Sequence, residues 1–274
     1  MTTLSIVIVS YNARADLERC LRSLADAPPA IPHDIVVVDN ASSDGSVEAV
    51  SGRRGPLTVI RQSVNRGFAA ANNVGIRATG GELVLLLNND TVAPPGAIDR
   101  LVGRLLAERA AAAAGPRLVD ADGIAELSFG RMLSPLTELR RKIVTALHDR
   151  RVGPVSRWVD RATRQERFVD WVSGACLLVR RTAAEEAGLL DERFFLYTED
   201  VDFCAAIRAR GGRILFTPAA EIVHLGGRSR LSAPDRMSAA YRRSQIAFYE
   251  KHHPAWAPVL RAYLRLKGQL PVSR

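Results

Sequence analysis

The sequence has little cysteine, few aromatics, almost no lysine and no long apolar run. Three cysteines, Cys20, Cys176 and Cys204, are scattered through 274 residues without a CxxC spacing. That excludes a disulfide framework or a zinc knuckle and fits a reducing cytoplasm. The longest apolar runs, such as Leu83–Leu87, are about five residues, against the roughly 20 that a spanning helix needs. The N-terminus enters an apolar β-like run without a basic n-region, so no secretory signal is expected. Aromatics are 6% of residues and form no RNP-type stacking motif, and no basic stripe threads the chain, which speaks against nucleic-acid binding despite the basic balance. Three motifs are also missing. Without GxGxxG in the first βα turn, a dinucleotide site is disfavoured; without GxxxxGK[ST] or GxSxG, so are a P-loop enzyme and a hydrolase elbow.

What is present is an ordinary globular composition, 47% hydrophobic and 24% charged, with net charge +9. The charge is segregated. Residues 1–130 sum to −2 and 169–224 to −3, whereas 131–168 carry +6 and 225–274 carry +8. Coding bias explains why 35 of the 38 basic residues are arginine, but it does not explain the segregation. The pattern implies a mildly acidic body with a basic face or tail.

Short apolar runs alternate with amphipathic stretches through the first half. Strands are expected at Leu4–Val9, Ile35–Val38, Leu57–Ile60 and Glu82–Leu87. Helices are expected at Ala13–Leu24, Asp44–Val50, Phe68–Ala78 and from Pro94 to about Glu108. Fully apolar strands in a βαβα rhythm imply a mostly parallel sheet with helices on both faces. Ligands of such sheets bind beyond the carboxyl ends of the strands. There the chain places Ser10-Tyr11-Asn12, then Asp39-Asn40 running on to Asp44, then Asn88-Asn89-Asp90. Each residue alone could be turn or cap chemistry; three loaded strand ends together point to a ligand. Asp39 suits a base N–H or ribose hydroxyls, and Asp90 a hard divalent cation bridging phosphates.

Residues 131–168 read as one basic amphipathic segment, with Met132, Leu133, Leu136, Leu139, Ile143, Val144 and Leu147 at helical spacing. Trp171–Arg181 reads as a loop entering a buried strand. A helix is expected from Thr198 or Glu199 to about Arg210, then short strands at Arg213–Phe216 and Ile222–Val223, the second closed by His224. Helical stretches follow around Arg236–Lys251 and after Pro258, with Trp256, Val259, Leu260, Tyr263 and Leu264 on one face.

Six segments, in order, carry a family resemblance: SIVIVSYN (5–12), VVVDNASSDGS (36–46), NRGFAAANNVGIRATGGELVLLLNNDT (65–91), WVSGACLLVRR (171–181), FFLYTEDVDFC (194–204) and HLGGRS (224–229). Together they resemble family-2 glycosyltransferases of the GT-A fold, in the bacterial rhamnosyltransferase and galactofuranosyltransferase-like branch. The resemblance implies an α/β GT-A domain over 1–230, comprising a nucleotide-binding half (1–130), a basic insertion (131–168) and an acceptor and catalytic half (169–230). A basic helical extension (231–274) completes the chain.

It also implies roles. Ser10, Tyr11, Asn12, Asp39, Asn40, Asp44, Arg66, Gly67, Asn73, Asn88 and Asn89 would border the nucleotide sugar. Asp90, the one carboxylate in a DxD motif that here reads Asn88-Asn89-Asp90, would share Mg²⁺ or Mn²⁺ with His224. Asp200 would be general base with Glu199 beside it. Trp171, Gly174 and Arg228 would border sugar and acceptor. The expected reaction is inverting transfer from a nucleotide-diphospho-sugar, with dTDP-rhamnose favoured, to a glycan or polyprenyl-diphosphate-linked acceptor. The basic segments suit peripheral contact with anionic lipid on the inner face of the plasma membrane. A sugar-1-phosphate nucleotidylyltransferase and a catalytically silent scaffold are the competing readings. The first lacks its glycine-rich loop, and the intact carboxylates argue against the second.

Overall fold

A computed structural model describes residues 2–51, 55–226 and 234–271, with side chains from 238 onward in the last stretch. The first half follows the expected alternation: β1 (Leu4–Ser10), α1 (Arg14–Asp26), β2 (His33–Asp39), α2 (Ser46–Val50), β3 (Leu57–Arg61), α3 (Phe68–Arg77) and β4 (Leu83–Asn88). Then come β5 (Thr91–Val92), α4 (Ala97–Ala107), β6 (Ala111–Val119) and β7 (Phe129–Gly130). The second half adds α5 (Pro135–Asp149), α6 (Gly153–Thr163), β8 (Arg167–Val169), β9 (Trp171–Val172), β10 (Cys176–Arg180), α7 (Arg181–Glu186), α8 (Glu199–Ala209) and β11 (Arg213–His224). A long C-terminal helix (Pro234–His252) and a last helix (Ala257–Leu266) follow.

The main sheet runs β3-β2-β1-β4-β10-β6-β11-β5, with β8 on β11. β1 to β4 are parallel neighbours, and β10 enters antiparallel between β4 and β6. All seven residues of β1 are buried. Ile6 and Ile8 pack in one core with Leu17, Cys20 and Leu101, while Val7, between them, packs in the other with Ile76, Phe203 and Phe216. That alternation is the period of two expected of a strand covered on both faces. The parallel strands therefore end together along one edge, where Ser10 stands opposite Asp39 and Val9 opposite Asn88.

Three expectations change, and one strand is new. The run Ala111–Val119, with four alanines, a glycine and a proline, reads poorly as a strand yet forms buried β6 between β10 and β11. Its small residues are what the packing needs, since a Cβ on Gly115 would come 2.6 Å from Val172. The two short strands expected near Arg213 and Ile222 are one strand, β11, whose register shift between Thr217 and Glu221 absorbs Pro218. Residues 131–168 divide into two helices and a strand. Pro135 follows the N-cap Ser134, whose hydroxyl accepts the Thr137 N–H while Thr137 returns a bond to the cap, so α5 starts there. The last helix does not present all five expected residues on one face: Leu264 is fully buried and Leu260 packs inward, leaving Trp256, Val259 and Tyr263 outside.

The C-terminal helix is packed against the body. Glu138 of α5 is buried and accepts from Tyr249 at 2.9 Å, Tyr241 at 3.3 Å and the Gln245 amide. Asp202 of α8 takes Lys251 at 2.8 Å and His252 at 2.6 Å.

Candidate functional site

The strand-end residues fall into two groups. In the first, the polar atoms bond to one another. Asn12 holds left-handed backbone (φ 48°); its N–H donates to Ser42 Oγ at 3.0 Å and its side chain accepts the Ser43 N–H at 2.8 Å. Asp44 accepts the Arg14 N–H at 2.9 Å, the Ser46 N–H at 3.0 Å and the Ser46 hydroxyl. Burial works against its charge, but these bonds outweigh it and hold the carboxyl below its usual value. Asn40 pins the next loop through Asn65 (2.8 Å), the Gly67 carbonyl and the Arg66 N–H. Gly67 is needed as glycine: its φ is +90°, and a Cβ would lie 2.4 Å from the Phe195 carbonyl oxygen. Arg66 pairs with Glu192 at 3.2 Å. Asp39 is buried and accepts the Ser42 N–H through both oxygens, while Tyr11 stands half exposed beside this loop.

Asn73 departs furthest from expectation. Its amide donates to the Leu190 carbonyl at 2.8 Å and to Glu192 at 3.1 Å, and its oxygen accepts the Leu190 N–H at 3.0 Å. It lines a hollow with Arg77, Asp191, Glu192 and Lys251, and its bonds tie α3 to the 189–192 loop.

The second group has atoms left over. The pairing of β5 with β11 sets His224 opposite Thr91, and the Leu225 N–H donates to the Asp90 carbonyl at 2.8 Å. Nε2 of His224 stands 3.4 Å from Asp90 Oδ1. That oxygen, like Asn88 Oδ1, is buried without a hydrogen-bond partner. Burial alone would lower the histidine pKa, but its contacts with Asp90 and Glu126 outweigh this and push it up to about 10. Asn89 reaches Ser10 Oγ at 3.5 Å.

The loop between β9 and β10 joins these residues to α8. The Asn88 N–H donates to the Ala175 carbonyl at 2.9 Å, and the adjoining Gly174 N–H donates to Asp200 Oδ2 at 2.9 Å. A Cβ on Gly174 would sit 3.2 Å from that of Asp200, so glycine permits the approach. Asp200 Oδ1 takes the Val201 N–H at 2.8 Å, within the first turn of α8. Glu199 is buried, its Oε2 without a partner, and burial and the neighbouring Asp200 raise its pKa well above the usual carboxylate range. Trp171 was expected to border the sugar. Instead its ring is buried under Arg141, and its N–H donates to the Arg131 carbonyl at 2.8 Å, so it supports the loop from behind. Arg228 lies outside the described residues.

The turn before α8 is strained. Tyr197 and Thr198 are consecutive left-handed residues, φ 70° and 64°, a costly conformation for a β-branched side chain. Ser244 of the C-terminal helix holds this turn: its hydroxyl donates to the Leu196 carbonyl at 2.7 Å and its carbonyl accepts the Thr198 hydroxyl at 3.4 Å.

Two contributors carry no sequence signal of their own. Glu126 bonds Nδ1 of His224 at 3.0 Å. The Ser128 carbonyl accepts the Ser173 N–H at 2.7 Å, so the stretch after β6 closes the site between His224 and the 173–175 loop.

Among the described residues no three His, Cys, Asp or Glu side chains converge as a complete cage for a metal ion. The residues present still fit a divalent cation shared with a substrate. Ligands about 2.1 Å from an octahedral ion stand roughly 3 Å apart, near the Asp90–His224 spacing, and such ions take remaining ligands from phosphates and water.

Comparison with known proteins bears on the family and the fold. The profile of glycosyl transferase family 2 matches residues 5–167. An N-acetylglucosaminyl-diphospho-decaprenol L-rhamnosyltransferase of Mycobacterium tuberculosis is 31% identical over 98% of this chain and 92% of its own length. A low-salt glycan biosynthesis hexosyltransferase of Haloferax volcanii is 25% identical over 81% of this chain and 66% of its own. Among solved structures, GalNAc-T7 with UDP, GalNAc and Mn²⁺ superposes with a TM-score of 0.63, at 19% identity, over 90% of this chain and 48% of that one. A Pyrobaculum calidifontis mannosyltransferase in complex with GDP-mannose and Mn²⁺ gives 0.60, also at 19%, over 95% and 68%. The profile match, the full-length relative and the shared GT-A architecture establish the chain as a glycosyltransferase of family 2.

Proposed function

We propose that this glycosyltransferase moves rhamnose from dTDP-rhamnose to a hydroxyl of a polyprenyl-diphosphate-linked glycan, with inversion at the anomeric carbon. The sugar and acceptor class rest on the relative that spans nearly the whole chain and is named for rhamnosyl transfer to a decaprenol-diphosphate-linked sugar. The chemistry rests on one observation: the loop 174–175 holds Asp200 on one side and Asn88 on the other.

Asp200 is the general base. Two backbone N–H groups fix its carboxylate, leaving further lone pairs for the acceptor hydroxyl proton as oxygen attacks C1. Burial and the neighbouring Asp200 disfavour the charged form of Glu199, which works against a second full charge beside the base. Asp39, Tyr11, Ser10 and Asn89 border the nucleotide. Asp90 and His224 would hold Mg²⁺ or Mn²⁺, which neutralises charge developing on the diphosphate leaving group.

The acceptor implies a place at a membrane surface. Among the described residues no helix is long and apolar enough to cross one. Leu136, Leu139 and Ile143 of α5 and Trp256, Val259, Tyr263 and Leu266 at the C-terminus are nevertheless exposed among arginines and lysines. This arrangement supports peripheral contact with anionic lipid at the cytoplasmic leaflet.

A thermal-shift panel of dTDP-, UDP- and GDP-sugars with Mn²⁺ tests the donor. The largest rise in melting point is expected with dTDP-rhamnose, and a larger rise with a UDP- or GDP-sugar would replace it. Flotation with phosphatidylglycerol vesicles tests the surface; absence of binding at physiological salt rejects it.

A further inference from the structure

We infer that Glu126 is a positioning residue that sets the orientation of His224 for a divalent cation. The inference rests on the proposal that Asp90 and His224 hold a metal. Both Glu126 carboxylate oxygens face the histidine Nδ1, at 3.0 and 3.2 Å. Among the described residues this carboxylate has no arginine or lysine in an ion pair, so its charge is directed at the imidazole. The backbone carrying it is fixed: the Glu126 N–H donates to the Leu118 carbonyl at 2.9 Å, and the Glu126 carbonyl accepts the Ser128 N–H at 2.9 Å.

An imidazole has two nitrogens, and the bond made by one determines what the other can do. With Nδ1–H donating to Glu126, Nε2 faces Asp90 Oδ1, an acceptor without a hydrogen-bond partner, and offers its lone pair there once a cation displaces its proton. Two such atoms 3.4 Å apart can share a cation between them. A carboxylate behind a ligating histidine fixes the ring and raises the basicity of the coordinating nitrogen. Glu126 lies outside every segment that carries the family resemblance, yet it reaches the site from the end of β6.

The test is the affinity for Mn²⁺, read from the free-ion EPR signal at fixed dTDP, for the full-length wild type, Glu126→Ala and Glu126→Gln. Removing such a carboxylate typically costs about 10–100-fold in metal affinity, and that is the loss expected for Glu126→Ala. Glu126→Gln keeps an oxygen that can accept Nδ1–H and should recover most of the affinity. A purely structural glutamate would lower the melting temperature of both variants without changing Mn²⁺ binding. If Glu126→Ala fails to fold, Glu126→Asp takes its place, its oxygens withdrawn from Nδ1 by one methylene. Wild-type affinity in Glu126→Ala, or in Glu126→Asp where it stands in, overturns the inference and leaves the metal proposal standing. Absence of Mn²⁺ binding by the wild type overturns both.

Discussion

The ends of β1 and β2 and the ends of β4 and β11 carry equally polar sequences, but they are built differently. Around β1 and β2, Asn12, Asn40 and Asp44 bond to nearby backbone and side chains. Around β4, β11 and the start of α8, Asn88 Oδ1, Asp90 Oδ1 and Glu199 Oε2 are buried without hydrogen-bond partners. Buried polar atoms are almost always paired, so the contrast is informative. The first region is a finished framework. The second is incomplete by itself, as expected of the place proposed for cation, diphosphate and acceptor. Asn73 belongs with the framework although it sits inside a matched motif.

That comparison can be broken or sharpened by substitution. The largest effect is expected from Asp200→Asn. Loss of a general base lowers turnover by about 10²–10⁴-fold, while dTDP-sugar binding followed by calorimetry stays near wild type; transfer at the wild-type rate would remove Asp200 from the chemistry. Asp90→Ala removes an unpartnered carboxylate and should cost on the order of 10²–10³ in turnover, the equivalent of several kcal/mol of charge stabilisation. Chelation with EDTA should have a similar effect on the wild type, and full activity in metal-free buffer would sink the metal proposal.

The framework predicts the opposite pattern. Asn73→Ala leaves the buried Leu190 N–H and carbonyl without their partner, so about 1–3 kcal/mol of stability should be lost in urea melts. The KM for the donor should not move; a selective rise in KM would return Asn73 to the nucleotide site. The smallest effect concerns Glu199. A carboxyl whose folded pKa is raised above its unfolded value near 4.5 contributes stability below that value and loses it as pH rises toward the folded one. Glu199→Gln stays neutral, so its melting temperature should gain on the wild type as pH climbs from about 5 to 9. A constant gap across that range would mean that Glu199 ionises normally.

Much of this was legible in the sequence because apolar β-branched runs stop abruptly at polar residues. Leu4–Val9 and Ile35–Val38 locate their strands within a residue or two, and the rule that ligands bind beyond carboxyl ends directs attention to the residues that follow. β6 was not legible because alanine, glycine and proline carry no strand signal; tertiary packing around Gly115 selects them instead. Glu126 was hidden for the same reason, since its part follows from where β6 ends and not from its neighbours in sequence. The burial of Trp171 and the self-contained bonding of Asn73 were equally invisible, because a motif gives residue identity without direction.

The clasp of Ser244 on the strained Tyr197–Thr198 turn separates two lengths that are easily equated. The residues that could carry chemistry are complete by about position 230, and the family profile ends at 167. The turn that aims Asp200 is nevertheless fastened by a helix running to His252. A chain trimmed to its recognisable domain would retain the named carboxylates and lose the brace that orients one of them. Chimeras built to exchange acceptor preference within the family therefore need to carry the C-terminal helix together with the catalytic half it braces.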